Sequence, residues 1–260
     1  MLRALYSAAA GMESQQMNLD VISNNLANVN TTGYKESKLQ FQDLLYQTTR
    51  AAGSEQGGGN QLPGSLQIGQ GAIPVATERV FTNGELSKTG GSLDIAIQGS
   101  GFFQVQMPDG TLAYTRDGGF KTDAEGRIVT SDGYPVQGGF QPVPAGTTNI
   151  TISASGGVTY TTNSGTTSSQ IQLANFNNPG GLEAVGHNLF KETTASGNAQ
   201  LGEPTQNGLG ELQQGYLELS NVSVVQEMVN LILAQRAYEV NSKAVQAADQ
   251  MMQDSNNLER

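Results

Sequence analysis

The two ends of the chain constrain its fold more than anything between them. Leu5, Met12, Leu19 and Leu26 recur every seven positions, with Ala8, Ile22 and Val29 on the neighbouring line. At the far end Val224, Leu231, Tyr238, Val245 and Met252 also recur at seven, and Ala234 and Ala248 fall three after Leu231 and Val245. This is an a/d seam, the pattern of a helix that lies along another helix. A long seam needs a partner strip of matching length, and the other end of the chain supplies it. Gly33 is placed to stop the first helix, over 1–32, in a left-handed conformation. Ser223, with Gln226 three residues on, reads as a capping box opening the second. Before Gly33 only Arg3, Glu13 and Asp20 are charged, and the other polar positions are mostly Asn, Gln and Ser. Such a face suits burial against further copies of the same chain better than contact with water.

The middle reads as β. Residues 36–50 carry Leu39, Phe41, Leu44, Leu45 and Tyr46 at a spacing that fits an extended segment or a short helix. A Gly-rich stretch over 53–64 follows, and then Leu66, Ile68, Ile73 and Val75 alternate, so the flanks can pair as a long hairpin. Beyond Val80, the dipeptides Asn83-Gly84, Asp109-Gly110, Asp117-Gly118, Glu125-Gly126 and Asp132-Gly133 are turn signals between short apolar runs. Gly197–Gly210 reads as a loop and Leu212–Leu219 as a returning strand. The expectation is an α+β chain: terminal helices (1–33 and 220–260) forming a coiled coil, an extended hairpin-like segment (34–79), and an inserted all-β domain (80–219) of sandwich or small-barrel type.

Chemistry finds little foothold. A net charge of −10 and a pI near 4.5 argue against a general nucleic-acid binder. Cysteine is absent, which removes disulfides, thiolate metal sites and a cysteine nucleophile. The one histidine, His187, lies in the loop-like Gly186-His187-Asn188, and no Gly-x-Ser-x-Gly elbow accompanies it. Gly99-Ser-Gly101 lacks the third glycine and the helix of a dinucleotide fingerprint. Asp117–Glu125 lacks the alternating oxygen ligands of a calcium loop and holds Lys121 in its middle. No cofactor, metal or catalytic residue is expected. No apolar run of eighteen residues crosses a membrane as a helix, and the start of the chain is too short and broken to be a cleaved signal peptide.

Several stretches carry a resemblance. Asn24-Asn-Leu-Ala-Asn-Val-Asn-Thr-Thr-Gly-Tyr-Lys35 resembles the N-terminal signature of the bacterial flagellar rod and hook family. Gly99–Phe103, Tyr114-Thr-Arg-Asp-Gly118, Phe120 and Gly126–Thr130 are similar to its middle-domain motifs, and Gln235-Arg-Ala-Tyr-Glu-Val-Asn-Ser-Lys243 to its C-terminal signature. The length and the insert Tyr46–Gly71 look most like the branch that builds the distal part of the rod, with a proximal rod or hook subunit as the alternative. The resemblance implies a structural, non-catalytic subunit. Its helices would line a narrow channel, its β domain would form an outer tube, and copies would stack into a rigid hollow shaft that crosses the periplasm and transmits torque. Implied partners are further copies, the proximal rod and hook proteins, the rings around the rod and the flagellar type III export apparatus. Export would need no cleaved signal, and the lack of cysteine suits passage into an oxidising compartment.

Packing between helices or subunits is expected of Leu5, Met12, Leu19, Asn24, Asn25, Leu26, Asn28, Gly33, Tyr34, Leu231, Gln235, Arg236, Tyr238, Asn241, Val245 and Met252. Tyr46, Arg50, Leu66 and Ile68 belong to a stretch expected to stiffen the assembly, because it is too apolar for a solvated loop. Two readings of other classes compete: a secreted β-domain enzyme acting on cell-wall glycan, and a β-rich adhesin.

Overall fold

The computed structural model describes residues 2–53, 63–162 and 165–258. Internal packing divides the chain into two compact units. Unit 1 comprises 1–26, 37–78 and 223–260; unit 2 comprises 27–36 and 79–222.

Unit 1 holds two helices, α1 (Leu2–Ala27) and α2 (Val224–Leu258), which pack together. Helix α1 ends well before Gly33. Asn28 and Thr31 close a turn there, with Thr31 N–H donating to Asn28 O at 3.1 Å, and this dense Asn/Thr stretch competes for the backbone groups a helix would use. Gly33 does adopt the left-handed conformation (φ +67°). Its reason is different: a Cβ there would lie 2.6 Å from Asp117 N. At the start of α2, Glu227 N–H donates to Ser223 O (2.9 Å), while Gln226 turns forward to Asn230 instead of closing a capping box. No helix among the described residues is long and apolar enough to cross a membrane.

The rest of unit 1 is extended, not helical. Strand Ser37–Asp43 pairs with Ala72–Arg79, and Gln47–Arg50 pairs antiparallel with Leu66–Ile68, opposing Gln47 to Ile68 and Arg50 to Leu66. Leu44 N–H donates to Gly71 O (2.8 Å) between the two ladders. Most of the Gly-rich tip, 54–62, lies outside the described residues.

Unit 2 is built of short antiparallel strands. Its largest sheet has four, in the order Glu183–Gly186, Leu189–Lys191, Leu112–Thr115, Phe103–Gln106. A three-stranded sheet runs Thr147–Ile152, Gly157–Thr162, Gly165–Gln170. Neighbouring side chains on a strand point to opposite faces, so Phe102 and Phe103 enter different clusters. Phe103 packs with Ile95, Ile97, Phe120, Tyr160 and Leu173. Phe102 packs with Tyr114, Phe176 and Phe190. The stretch 197–210 is not all loop: Gln200–Gly202 pairs with Leu173–Asn175, a strand whose single apolar residue, Leu201, gave no periodicity to read. The returning segment breaks at Gly215 (φ +78°), so that Glu211–Gln214 joins Ile95–Gln98 and Tyr216–Glu218 joins Leu86–Lys88.

In two of the Gly dipeptides the glycine is required by something other than a left-handed turn. Gly84 and Gly118 have no left-handed φ; a Cβ on them would lie 2.0 Å from Leu219 O and 1.7 Å from Ile95 O. They permit close passage of one backbone over another. Gly118→Ala should therefore cost unit 2 at least about 1–3 kcal/mol in urea unfolding. Gly64→Ala, with open space around it, should leave stability unchanged. Equal stability of the two variants would refute the account.

Candidate assembly site

In unit 1 most of the buried positions on the two helices are small or polar residues. Ala8, Ser14, Ile22 and Asn25 of α1 and Ala234 and Ala248 of α2 are buried. A Cβ on Gly11 would lie 2.8 Å from Asn241 Nδ2. Small side chains let helices approach closely. The larger seam residues Leu5, Met12, Leu19, Leu26, Leu231, Val245 and Met252 are only half-buried, as are Asn28 and Asn241, and Tyr238 is exposed. Asn24, Gln235 and Arg236 are exposed, and Arg236 pairs with Glu239 (2.8 Å) on the same helix. Asn25 has a defined task. Its amide donates to Ser37 O (2.9 Å) and accepts from Ser37 N–H (3.0 Å), satisfying both backbone groups of the residue that opens the extended segment.

Among the described residues of unit 1, two apolar surfaces are exposed. On α2, Val225, Met228, Val229, Ile232, Leu233 and Val240 are exposed, Val225 by 74%. Their spacing of three and four places most of them on one helix face. On the extended segment, Phe41, Leu45, Tyr46, Leu66, Ile68 and Val75 are exposed, Leu45 by 86%. Arg50 is exposed beside them. The Tyr46 hydroxyl bonds the Asp43 carboxylate, which pushes its pKa up. Helix α1 holds the base of this segment: Ser14 Oγ donates to Ala72 O (2.9 Å).

Unit 2 contains a buried charge cluster that sequence reasoning missed. Lys35, Glu218 and Arg116 are 0%, 1% and 3% exposed. Lys35 Nζ donates to Glu218 Oε1 (2.6 Å) and to Thr82 O (2.7 Å), and Gly84 N–H donates to the same carboxylate oxygen (2.9 Å). Arg116 Nη1 lies 3.5 Å from Glu218 Oε2, and the guanidinium stacks over Phe102 at 5.2 Å. Arg116 Nε and Nη1 and Glu218 Oε2 are buried without a hydrogen-bond partner. Burial lowers the pKa of Lys35, with Glu218 opposing the shift, and burial lowers that of Arg116 as well.

Around the cluster, the ends of unit 2's two chain segments are tied together. Gly33 N–H donates to Glu218 O (2.8 Å), Glu36 N–H to Asn221 Oδ1 (2.7 Å), Val80 N–H to Glu36 O (2.9 Å), and Asn221 Nδ2 to Val80 O (2.8 Å). Tyr34 is buried, with the Arg79 guanidinium 5.7 Å above its ring. The available signal was Glu218 itself, a carboxylate in the strand Tyr216–Glu218 at a position that faces inward.

The stretches considered for chemistry have structural roles here. His187 (φ +54°) and Asn188 (φ +57°) form the two-residue turn between paired strands, as a type I′ hairpin requires. A Cβ on Gly99 would strike Gly210 Cα at 2.7 Å, so that glycine serves a backbone crossing. Asp123 accepts from Glu125 N–H and Arg127 N–H and pairs with the Arg127 side chain, closing a tight turn. Among the described residues no cluster of His, Asp and Glu could hold a metal ion.

Three family profiles match in order. "Flagella basal body rod protein" matches residues 5–35, "Flagellar hook protein FlgE/F/G D1 domain" 96–160, and "Flagellar basal body rod FlgEFG protein C-terminal" 213–258. These set the class: a subunit of the flagellar rod and hook. Among individual relatives, the chain is 49% identical to the flagellar basal-body rod protein FlgG of Caulobacter vibrioides over 261 residues, covering 99% of each chain. It is 48% identical to that of Buchnera aphidicola from Acyrthosiphon pisum over 261 residues (99% of this chain, 100% of the relative). To the flagellar hook-basal body complex protein FlhP of Bacillus subtilis it is 32% identical over 265 residues, 97% of each. The chain belongs to the FlgG family of distal-rod proteins of the flagellar basal body, a structural and non-catalytic family.

Asn25→Ala should expose the Ser37 backbone pair without a substitute partner. Leaving such groups unsatisfied costs about 1–3 kcal/mol. Amide exchange at Ser37 should therefore quicken by one to two orders of magnitude. Unaltered exchange would show that the amide is held by something else.

Proposed function

We propose that this chain is a self-assembling subunit of the distal rod, a hollow shaft across the periplasm that transmits torque. In this reading the helix pair of each subunit joins neighbouring pairs in a coiled-coil inner tube, and the β unit forms the outer tube. One observation carries it: the exposed apolar stripe Val225–Met228–Val229–Ile232–Leu233 on α2. Burying each such side chain contributes about 1.5–3 kcal/mol, and two helices alone leave this stripe in water. Contacts in which one patch meets a different patch on the next copy generate helical filaments. Leu5, Met12, Leu19, Leu26, Leu231, Tyr238, Val245 and Met252 would then be covered on their outer sides by neighbours, and Asn24, Asn28, Gln235, Arg236 and Asn241 would meet partners between helices.

The extended segment, with Tyr46, Arg50, Leu66 and Ile68, stiffens the stack by lying against adjacent copies. Proximal rod and hook proteins meet the two ends of the shaft, rings surround it, and the subunit reaches it through the flagellar type III export apparatus with its N-terminus uncleaved.

Replacing Val229 and Ile232 together by Asp should abolish fibre formation by concentrated protein in electron microscopy. Unit 2 should unfold in urea within about 0.5 kcal/mol of the parent, as expected for surface changes. Normal fibres from this variant would sink the assignment of the stripe. Deleting residues 50–66 should leave unit 2 folded and yield rods of altered length or curvature. Straight rods of normal length would refute the stiffening role.

A further inference from the structure

The Lys35–Glu218–Arg116 cluster has an unusual arrangement along the chain. Its two cations come from residues 35 and 116, and its single anion comes from residue 218, on the last strand of unit 2. All three are buried, and the complete cluster still carries one excess positive charge. A buried ion pair adds little stability over an apolar trio of the same volume, whereas removing one partner from it is severely destabilising. The cluster is therefore poorly explained as a source of stability. What it does strongly is penalise incompleteness. Without Glu218, folding would enclose two cations whose remaining neighbours are the Thr82 carbonyl for Lys35 and the Phe102 ring for Arg116. The same carboxylate oxygen also accepts from Gly84 N–H, which would be left bare.

We propose that Glu218 is a completion lock: unit 2 folds stably only when its final strand arrives and neutralises Lys35 and Arg116. A chain delivered N-terminus first would hold its β unit open until residues 216–218 were present. Other late residues, Leu209 and Leu212, add apolar contacts to the same core, but they act in proportion to the area they bury. The carboxylate acts as a veto. The value of the lock in transit rests on the export reading above; the lock itself does not.

The test uses the full chain, so every apolar contact of the last strand is retained. The protein has no Trp, and buried Tyr114 and Tyr160 report unit 2 by near-ultraviolet circular dichroism in urea. Glu218→Ala and Glu218→Gln should each lower the folding equilibrium constant by roughly two to four orders of magnitude. Adding Lys35→Met and Arg116→Met to either Glu218→Leu or Glu218→Met should bring it back to within tenfold of the parent or above. A Glu218→Ala chain within tenfold of the parent would overturn the proposal. So would failure of both apolar triple variants to recover, since the strand's geometry rather than its charge would then be what unit 2 awaits. Because the measurement is made on unassembled protein, its outcome is independent of whether the α2 stripe drives fibre formation.

Discussion

The carboxylate of Glu218 is the point on which unit 2 turns. One side chain meets Lys35 from the segment after α1, Gly84 from the loop after Phe81, and Arg116 from the end of a central strand. Its backbone carbonyl also holds Gly33. Three stretches remote in sequence, around residues 33–35, 84 and 116, are thus referred to one residue. Desolvating three charges costs several kcal/mol each, and the attraction between them recovers this only in good geometry. The surrounding bonds of Glu36, Val80, Thr82 and Asn221 supply that geometry on the Lys35 side by fixing the backbone there, whereas Arg116 meets the carboxylate without a hydrogen bond.

Much of this was legible beforehand, and the illegible parts have physical reasons. The heptad lines located both helices, because a side chain's place on a helix follows from its number alone. The alternation at Leu66, Ile68, Ile73 and Val75 located the paired segment for the same reason. The end of α1 was misplaced because Gly33 signals a left-handed residue without saying what requires it; here the requirement is the Asp117 backbone, more than eighty residues away. Gly84 and Gly118 likewise signal a turn without revealing the backbone that passes over them. The charge cluster was hidden because burial of Lys35 and Arg116 depends on a partner far along the chain, and the signature segments that contain them look like polar surface. Asn25 was singled out with its neighbours Asn24 and Asn28, yet only the fold distinguishes its two bonds to Ser37 from theirs.

Helix α2 reverses the usual sidedness of a helix in a globular domain. Its most deeply buried positions include alanines, Ala234 and Ala248, while Val225, Met228, Val229, Ile232 and Leu233 face outward. Small residues inside allow α1 to approach closely; large residues outside leave most of the available hydrophobic free energy unspent within the subunit. A helix of this kind is only partly satisfied by its own chain.

The root of the extended segment has a separate consequence. The Leu44–Gly71 bond joins its two ladders, and Ser14 of α1 holds Ala72 beside it. Both of these bonds are accepted by backbone carbonyls, so the exposed side chains of Gln47–Arg50 could be exchanged, for a label or a charge, without touching what holds the root of the segment.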